Sequence, residues 1–134
     1  MRKVDLKIKD GWVLEGQLTI EGATRACEKL LKHPDRPTAI FCANDEMAMA
    51  CIHEIKNQGL AVPDDISVMG FDDIRYAGMM EPELTTVSQP AREIGERAAI
   101  RLFKAIERGN QPNNQPVILP HKLVIRQSVG VPRN

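Results

Sequence analysis

The chain has 134 residues, and its 18 lysines and arginines balance 18 aspartates and glutamates, so the formal net charge is zero. This length is ordinary for one domain, and the absence of a clustered basic face argues against nucleic-acid binding by this chain itself. No segment has the length of a transmembrane helix and the N-terminus has no apolar signal-peptide core, so we expect a cytoplasmic protein without a membrane partner.

Cysteine and histidine are scattered along the chain. Cys27, Cys42 and Cys51 lie inside apolar runs and lack the spacing of metal ligands, which favours buried free thiols over a disulfide or a metal site. The three histidines have no second ligand beside them, and no phosphate-binding glycine loop or nucleophile motif is present. We therefore predict a binding module, not an enzyme, with no cofactor and no metal.

The first part of the chain predicts a helix at 20–32, after a short strand candidate, WVLEGQ, at 12–17. Thr19 is the expected N-cap, and the apolar residues that follow recur at helical spacing. The run TAIFCA at 38–43 is almost continuously apolar, which is typical of a strand that helices cover on both faces.

A second helix is predicted at 46–58, with Asn44 or Asp45 as the N-cap and Gly59 after the C-terminus. The next strand, ISVMGF at 66–71, would then lie parallel to the first through a right-handed crossover.

The second half of the chain begins with a loop at 74–84 and a brief strand, TTVS, at 85–88. Gln89 and Pro90 mark a hinge, and a long amphipathic helix is predicted at 91–108, ended by Gly109. Its apolar stripe is Ala91, Ile94, Gly95, Ala98, Ala99, Leu102, Phe103 and Ile106. A polar loop at 110–116 then leads to two strand candidates, VILP and KLVIRQSVGV.

Two polar residues follow the ends of the predicted parallel strands, Asn44 and Asp72. The carboxyl ends of such strands face the crevice where small ligands bind, so both side chains are expected at one pocket. Asp45 is interpreted as a helix cap, whereas Asp72 is equally compatible with ligand contact and with a structural turn. An alternative interpretation uses Asp45, Asp72 and Asp73 as Mg²⁺ ligands of a phosphoryl-transfer domain.

Five ordered motifs, RPTAIFCANDEMAM, GLAVPDDISVMGFDD, PELTTVSQP, REIGERAAIRLF and LVIRQSV, resemble the lactose-repressor (LacI/GalR) family of bacterial transcription regulators. The resemblance implies an α/β, periplasmic-binding-protein-like (type I) fold with a parallel sheet flanked by helices. It further implies a repressor that binds a small effector in a cleft between two subdomains, and operator DNA as a homodimer through a helix-turn-helix headpiece absent from this chain. The TTVSQP motif is closest to purine-, nucleoside- and ribose-responsive members. A secreted sugar-binding protein of the same fold is the alternative.

The resemblance also implies a division of the chain. Residues 1–14 would be a leader or linker, 15–88 the C-terminal effector-binding subdomain, 89–119 a crossover segment containing helix 91–108, and 120–134 a final strand returning to the C-terminal subdomain. The crossover helix would belong with an N-terminal subdomain that is missing. We therefore expect its apolar stripe to be swapped, re-docked or buried against another copy.

Individual roles are implied residue by residue. Asn44 and Asp72 match residues that hydrogen-bond the effector, Gln89 matches a lesser contact, and Leu18 stands where members often have a stacking aromatic residue. Met49, Met79 and Met80 match positions in the dimer interface. From the residues alone, these methionines fit a gap-filling core or a partner surface about equally well.

Overall fold

The structure, a computed structural model, describes residues 7–108 and 115–131. The predicted helix end at Gly109 and most of the predicted loop at 110–116 lie outside the described residues. In chain order the helices and strands are α1 (Ile20–Leu31), β1 (Ala39–Phe41), α2 (Asp45–Asn57), β2 (Ser67–Met69), a 3₁₀ turn (Arg75–Gly78), β3 (Thr86–Ser88), α3 (Ala91–Arg108) and β4 (Lys122–Val124).

Helices α1 and α2 form where the sequence predicts them, and each begins at a capping side chain. The Thr19 hydroxyl accepts a hydrogen bond from the Gly22 amide at 3.0 Å. The side-chain oxygen Oδ1 of Asn44 accepts one from the Met47 amide at 2.8 Å. Each cap satisfies one of the free amides at a helix N-terminus. The two helices pack against each other over a core that includes Cys27, Cys42 and Cys51, all of them free and buried as predicted.

The sheet is built on the predicted parallel pair, with Ile40 of β1 opposite Val68 of β2. Bridges from Met69 to Thr85 and from Asp72 to Ser88 continue the parallel arrangement toward β3. Strand β2 is largely buried, but the prediction that helices cover both faces of β1 is wrong, because Phe41 is 63% exposed. Only the Ile40 side of β1 faces the core formed with the helices.

The strand predicted at 12–17 does not form. Gln17 and Leu18 both have φ of 54°, in the left-handed region that an extended strand does not visit. The chain turns there, with the Thr19 amide donating to the Gly16 carbonyl at 3.1 Å, and enters α1 directly.

The C-terminal segment adds a strand to β3 and then packs against the middle of the fold. β4 pairs antiparallel with β3, with Leu123 opposite Val87, whereas the predicted strand at 117–120 does not form. Beyond β4, the buried Ser128 hydroxyl donates to the Val68 carbonyl at 2.6 Å and accepts from the Thr85 amide at 2.8 Å. The last described turns of the chain are therefore hydrogen-bonded to the middle of the fold.

Helix α3 forms as predicted, but the other residues that the structure describes leave much of its apolar stripe exposed. Leu102, Phe103 and Ile106 are 60–67% exposed. The prediction that this stripe re-docks onto the described part of the chain is therefore wrong. Helices α1 and α2 already cover the core side of the sheet, and the described residues contain no further element to cover α3. Burial against another subdomain or another copy stays a prediction.

Candidate functional site

Asn44 lies where β1 passes into α2, and its side chain has two ends with different roles. The carbonyl oxygen caps α2, and this bond fixes the orientation of the amide plane. The amide nitrogen at the other end is a double hydrogen-bond donor that the capping bond does not use. Asn44 is half-buried, so this donor lies close to solvent at the carboxyl end of β1.

Asp72 follows β2, and its side chain contacts that of Gln89. Its carboxylate oxygen Oδ1 accepts a hydrogen bond of 2.6 Å from the Gln89 amide nitrogen, and its backbone amide donates to the Val87 carbonyl at 2.9 Å. Asp72 has φ of 116°, a value that non-glycine residues rarely adopt. The half-buried carboxylate is thus held between β2 and the hinge that precedes α3, with its second oxygen as a hydrogen-bond acceptor.

Asp73 is the second consecutive residue with positive φ, at 58°. Its carboxylate forms an ion pair with Arg126, whose Nη2 donates to Oδ1 at 2.8 Å. The same guanidinium donates through Nη1 to the Leu84 carbonyl at 2.8 Å. Sequence analysis missed Arg126; its signal is an arginine directly after the apolar residues LVI at 123–125.

Asp45 is not the helix cap that the sequence predicts, because Asn44 takes that role. The carboxylate of Asp45 is fully buried and accepts two hydrogen bonds, from the Thr86 hydroxyl at 2.5 Å and from the Ile74 amide at 2.8 Å. A Cβ atom on Gly70 would lie 2.3 Å from this carboxylate, so the site requires glycine there. Gly70, inside an apolar strand sequence, was the available signal for this close approach.

The structure does not assemble Asp45, Asp72 and Asp73 into a cation site. Each carboxylate has a different partner: Thr86 and the Ile74 amide for Asp45, Gln89 for Asp72, and Arg126 for Asp73. Within the described ranges, no three acidic, histidine or cysteine side chains are grouped to hold a metal ion. The geometry therefore lends no support to the Mg²⁺ interpretation.

Two of the four predicted contact residues, Leu18 and Gln89, line separate depressions of the surface. Leu18, 66% exposed, lines one of about 620 Å³ together with Trp12 and Phe41. Gln89 lines the other, of about 540 Å³, together with Phe71 beside α3. Asn44 and Asp72 line neither. The structure thus brings Asp72 and Gln89 into contact and leaves Leu18 at a separate, mostly apolar surface.

The three methionines predicted at an interface differ in exposure. Met79 is 69% exposed, whereas Met80 is partly buried and packs against the core. Met49 is half-buried and lines a shallow depression of about 150 Å³ with Ile20 and Tyr76, which are both more than half exposed. Met79 and Met49 therefore lie at the surface, while Met80 takes part in the core.

The buried thiols are held in their neutral form. Hydrogen bonding with Cys51, and then burial, raise the pKa of Cys27 far above its ordinary value of 9.0. For Cys51 the hydrogen bond with Cys27 lowers the pKa, but the hydrogen bond with Cys42 and burial outweigh it and raise the pKa overall. Because the thiolate is the reactive form, the raised pKa values keep Cys27 and Cys51 in the less reactive thiol form at neutral pH.

Among the described residues, no helix combines the length and apolar character needed to cross a bilayer.

Comparison with known proteins now identifies the class. A family described as periplasmic binding protein-like domain matches residues 3–129. The chain is 40% identical to catabolite control protein A of Priestia megaterium over 92% of its own length, and 40% identical to the HTH-type transcriptional repressor PurR of Photobacterium profundum over 96%. It spans only 37% and 38% of the length of these two relatives.

Solved structures agree with these relatives. A putative transcriptional regulator LacI from Bacillus cereus subsp. cytotoxis has a TM-score of 0.90 at 26% identity, covering 96% of this chain and 45% of that one. A LacI family regulator from Lactobacillus casei with bound sucrose has a TM-score of 0.77 at 33% identity, over 96% of this chain and 47% of that one. A ribose-bound LacI family regulator from Enterococcus faecium has a TM-score of 0.73 at 28% identity, over 87% of this chain and 42% of that one.

The chain therefore belongs to the periplasmic binding protein-like domain family. Within that family it groups with the LacI-family transcription regulators, which confirms the family and the fold expected from the five sequence motifs. The two relatives named above are a catabolite control protein and an HTH-type transcriptional repressor.

Proposed function

We propose that this chain is the effector-sensing part of a LacI-type transcriptional repressor, and that it corresponds to the C-terminal part of the effector-binding domain. The observation that carries the proposal is the contact between Asp72 and Gln89 at the carboxyl end of the sheet. Carboxylate and amide groups held rigidly beside a crevice suit the hydroxyl and ring-nitrogen groups of a small sugar, nucleoside or purine.

In this proposal Asn44 donates a hydrogen bond to the effector through its side-chain amide, and Asp72 accepts one. Gln89 contributes from the hinge, and Leu18 offers apolar contact at the margin. The bound sucrose and ribose of the two related structures support a sugar-sized effector. The effector would fix the relative angle of two subdomains and thereby shift the population of the DNA-binding state.

The proposed repressor acts as a cytoplasmic homodimer that reaches operator DNA through a separate headpiece. The exposed apolar side chains around Met49 and Met79 support a partner surface, because a contiguous exposed apolar patch usually marks an interaction site. Met80 contributes less in this proposal, since it packs partly into the core.

The test uses the full-length regulator and two reciprocal variants. Ribose, sucrose, adenosine and adenine serve as probes, and binding is measured by calorimetry while sedimentation measures dimerisation. Asp72→Ala should lower the affinity for the bound probe by roughly one hundredfold and leave dimerisation intact, because a hydrogen bond from a charged acceptor is lost at the cleft. Met79→Glu should weaken dimerisation and leave probe affinity intact.

An exposed aspartate elsewhere on the chain provides the matched control. Asp10→Ala should change neither quantity. Failure of all four probes to bind the wild-type regulator, or equal affinity in the wild type and Asp72→Ala, would contradict the assigned site.

A further inference from the structure

The turn that presents Asp72 has an unusual backbone. Asp72 and Asp73 are adjacent and both have positive φ, at 116° and 58°. Aspartate enters this region more readily than most residues, but two consecutive residues there persist only where surrounding contacts hold them. The turn is therefore expected to relax when those contacts are removed.

Arg126 supplies the contacts on the side of the turn away from Gln89. Its guanidinium donates to Asp73 Oδ1 and to the Leu84 carbonyl, both at 2.8 Å, and its backbone amide donates to the Thr85 hydroxyl at 2.8 Å. The side chains of Arg126 and Asp73 are only 19% and 22% exposed, so water screens their attraction weakly. Arg126 thus ties the C-terminal segment to both Asp73 and the strand region near Leu84.

We infer that Arg126 and Asp73 are positioning residues for Asp72. Arg126 fixes the carboxylate of Asp73, this fixes the backbone of the turn, and the turn aims the Asp72 carboxylate at Gln89. The inference rests on the proposed function only in taking Asp72 as the effector contact. Neither Arg126 nor Asp73 needs to touch the effector.

The geometry of the guanidinium explains why an arginine holds this position. Its planar fork presents two nitrogens at once to two acceptors, Asp73 and the Leu84 carbonyl, that lie on separate segments. A lysine ammonium keeps the charge but lacks the fork. Arg126→Lys should therefore preserve part of the positioning, and Arg126→Gln should remove it.

The experiment measures the turn directly in the 134-residue chain and needs no effector. Hydrogen exchange of the Asp72 amide, which is bonded to the Val87 carbonyl, reports on the turn, and exchange of the Ile55 amide within α2 reports on global stability. Arg126→Gln should accelerate exchange at Asp72 by about tenfold or more relative to Ile55. The nitrogen-bound proton resonances of the Gln89 side chain should move toward those of a free amide.

Three further variants separate the possible outcomes. Asp73→Asn should act in the same direction as Arg126→Gln, Arg126→Lys should act less, and Arg92→Gln, which breaks an exposed ion pair in α3, should leave both reporters unchanged. Equal acceleration at Asp72 and Ile55 would overturn the inference, because it would reveal a general stabilising role only. Unchanged Asp72 exchange would overturn it as well. Loss of the proposed effector site alone would not alter these exchange rates, so the two ideas fail separately.

Discussion

Helices α2 and α3 both carry apolar side chains at helical spacing, but their surroundings are very different. In α2 the residue Ile55 is fully buried, whereas in α3 Ile106 is 67% exposed. Hydrophobic periodicity therefore indicates that a helix needs an apolar partner, but it does not tell whether the partner lies in the same chain. For α2 the partner is α1 and the sheet, and for α3 the described residues supply none.

Helix α3 has local stabilisation of its own. Arg92 pairs with Glu96 at 2.8 Å, and Arg97 with Glu93 at 2.7 Å. Such exposed pairs one turn apart contribute only about 0.3–0.5 kcal/mol each. They support the helical conformation without replacing the burial that stabilises most helices in proteins.

The largest expected effect is a difference in the free energy of unfolding when the same isoleucine-to-alanine substitution is made in each helix. Ile55→Ala should lower the free energy of unfolding by about 2–5 kcal/mol, because it removes buried methylene groups and leaves a cavity. Ile106→Ala, with the same change of side chain, should alter it by less than about 0.5 kcal/mol. Urea unfolding followed by circular dichroism measures both.

Equal destabilisation by the two variants would contradict the comparison. It would mean that α3 is covered in solution, and sedimentation at several concentrations would then reveal whether a second copy covers it.

A smaller effect is expected from the buried carboxylate at the start of α2. Asp45→Ala should cost about 1–3 kcal/mol, because it leaves the buried Thr86 hydroxyl and the part-buried Ile74 amide without their acceptor. The neighbouring change Glu46→Ala removes an exposed carboxylate from the same helical turn and should cost little. Thermal and urea unfolding of the two variants check this difference. Asp45→Asn, which keeps one acceptor, should lie between them.

The smallest effect concerns the thiols at the interface of α1 and α2. Because the pKa values of Cys27 and Cys51 are raised in the folded chain, their contribution to stability is complete below pH 9.0 and declines above it, as the unfolded chain ionises. The slope is up to ~1.4 kcal/mol per pH unit for each thiol. Urea unfolding at about pH 8 and about pH 10 measures it.

A double variant isolates the contribution of these two thiols from that of all other groups. Cys27→Ala with Cys51→Ala should show a shallower decline between the two pH values than the wild type. An identical decline would show that the thiols do not contribute.

The helices were predictable from sequence because their signals are local. Thr19 and Asn44 cap α1 and α2, and α3 begins at Ala91, directly after the predicted hinge at Gln89 and Pro90. The strand at 12–17 was not predictable, because the left-handed conformations of Gln17 and Leu18 have no glycine to indicate them. The open face of β1 escaped prediction because an apolar run does not distinguish cover by the same chain from cover by another.

The candidate site was predictable only in part. The position of Asp72 after a strand predicted its place at the carboxyl end of the sheet, and the family resemblance implied effector contacts for Asp72 and Gln89, but their mutual hydrogen bond was not predicted. The burial of Asp45 and the role of Arg126 depend on contacts between residues 41 and 53 positions apart in the chain. No spacing rule in a single sequence reports contacts at that distance.

The hydrogen bonds of Ser128 determine which part of the sheet can form last as the chain folds during synthesis. Its hydroxyl joins Val68, which is 60 residues earlier, to Thr85, which is 43 residues earlier. A ribosome releases Val68 and Thr85 long before Ser128. Helices α1 and α2 and the parallel pair of strands can therefore dock during synthesis, whereas the hydrogen bonds at the centre of the sheet form only when the final segment is present. Until then the carbonyl of Val68 depends on water or a chaperone for its hydrogen bond.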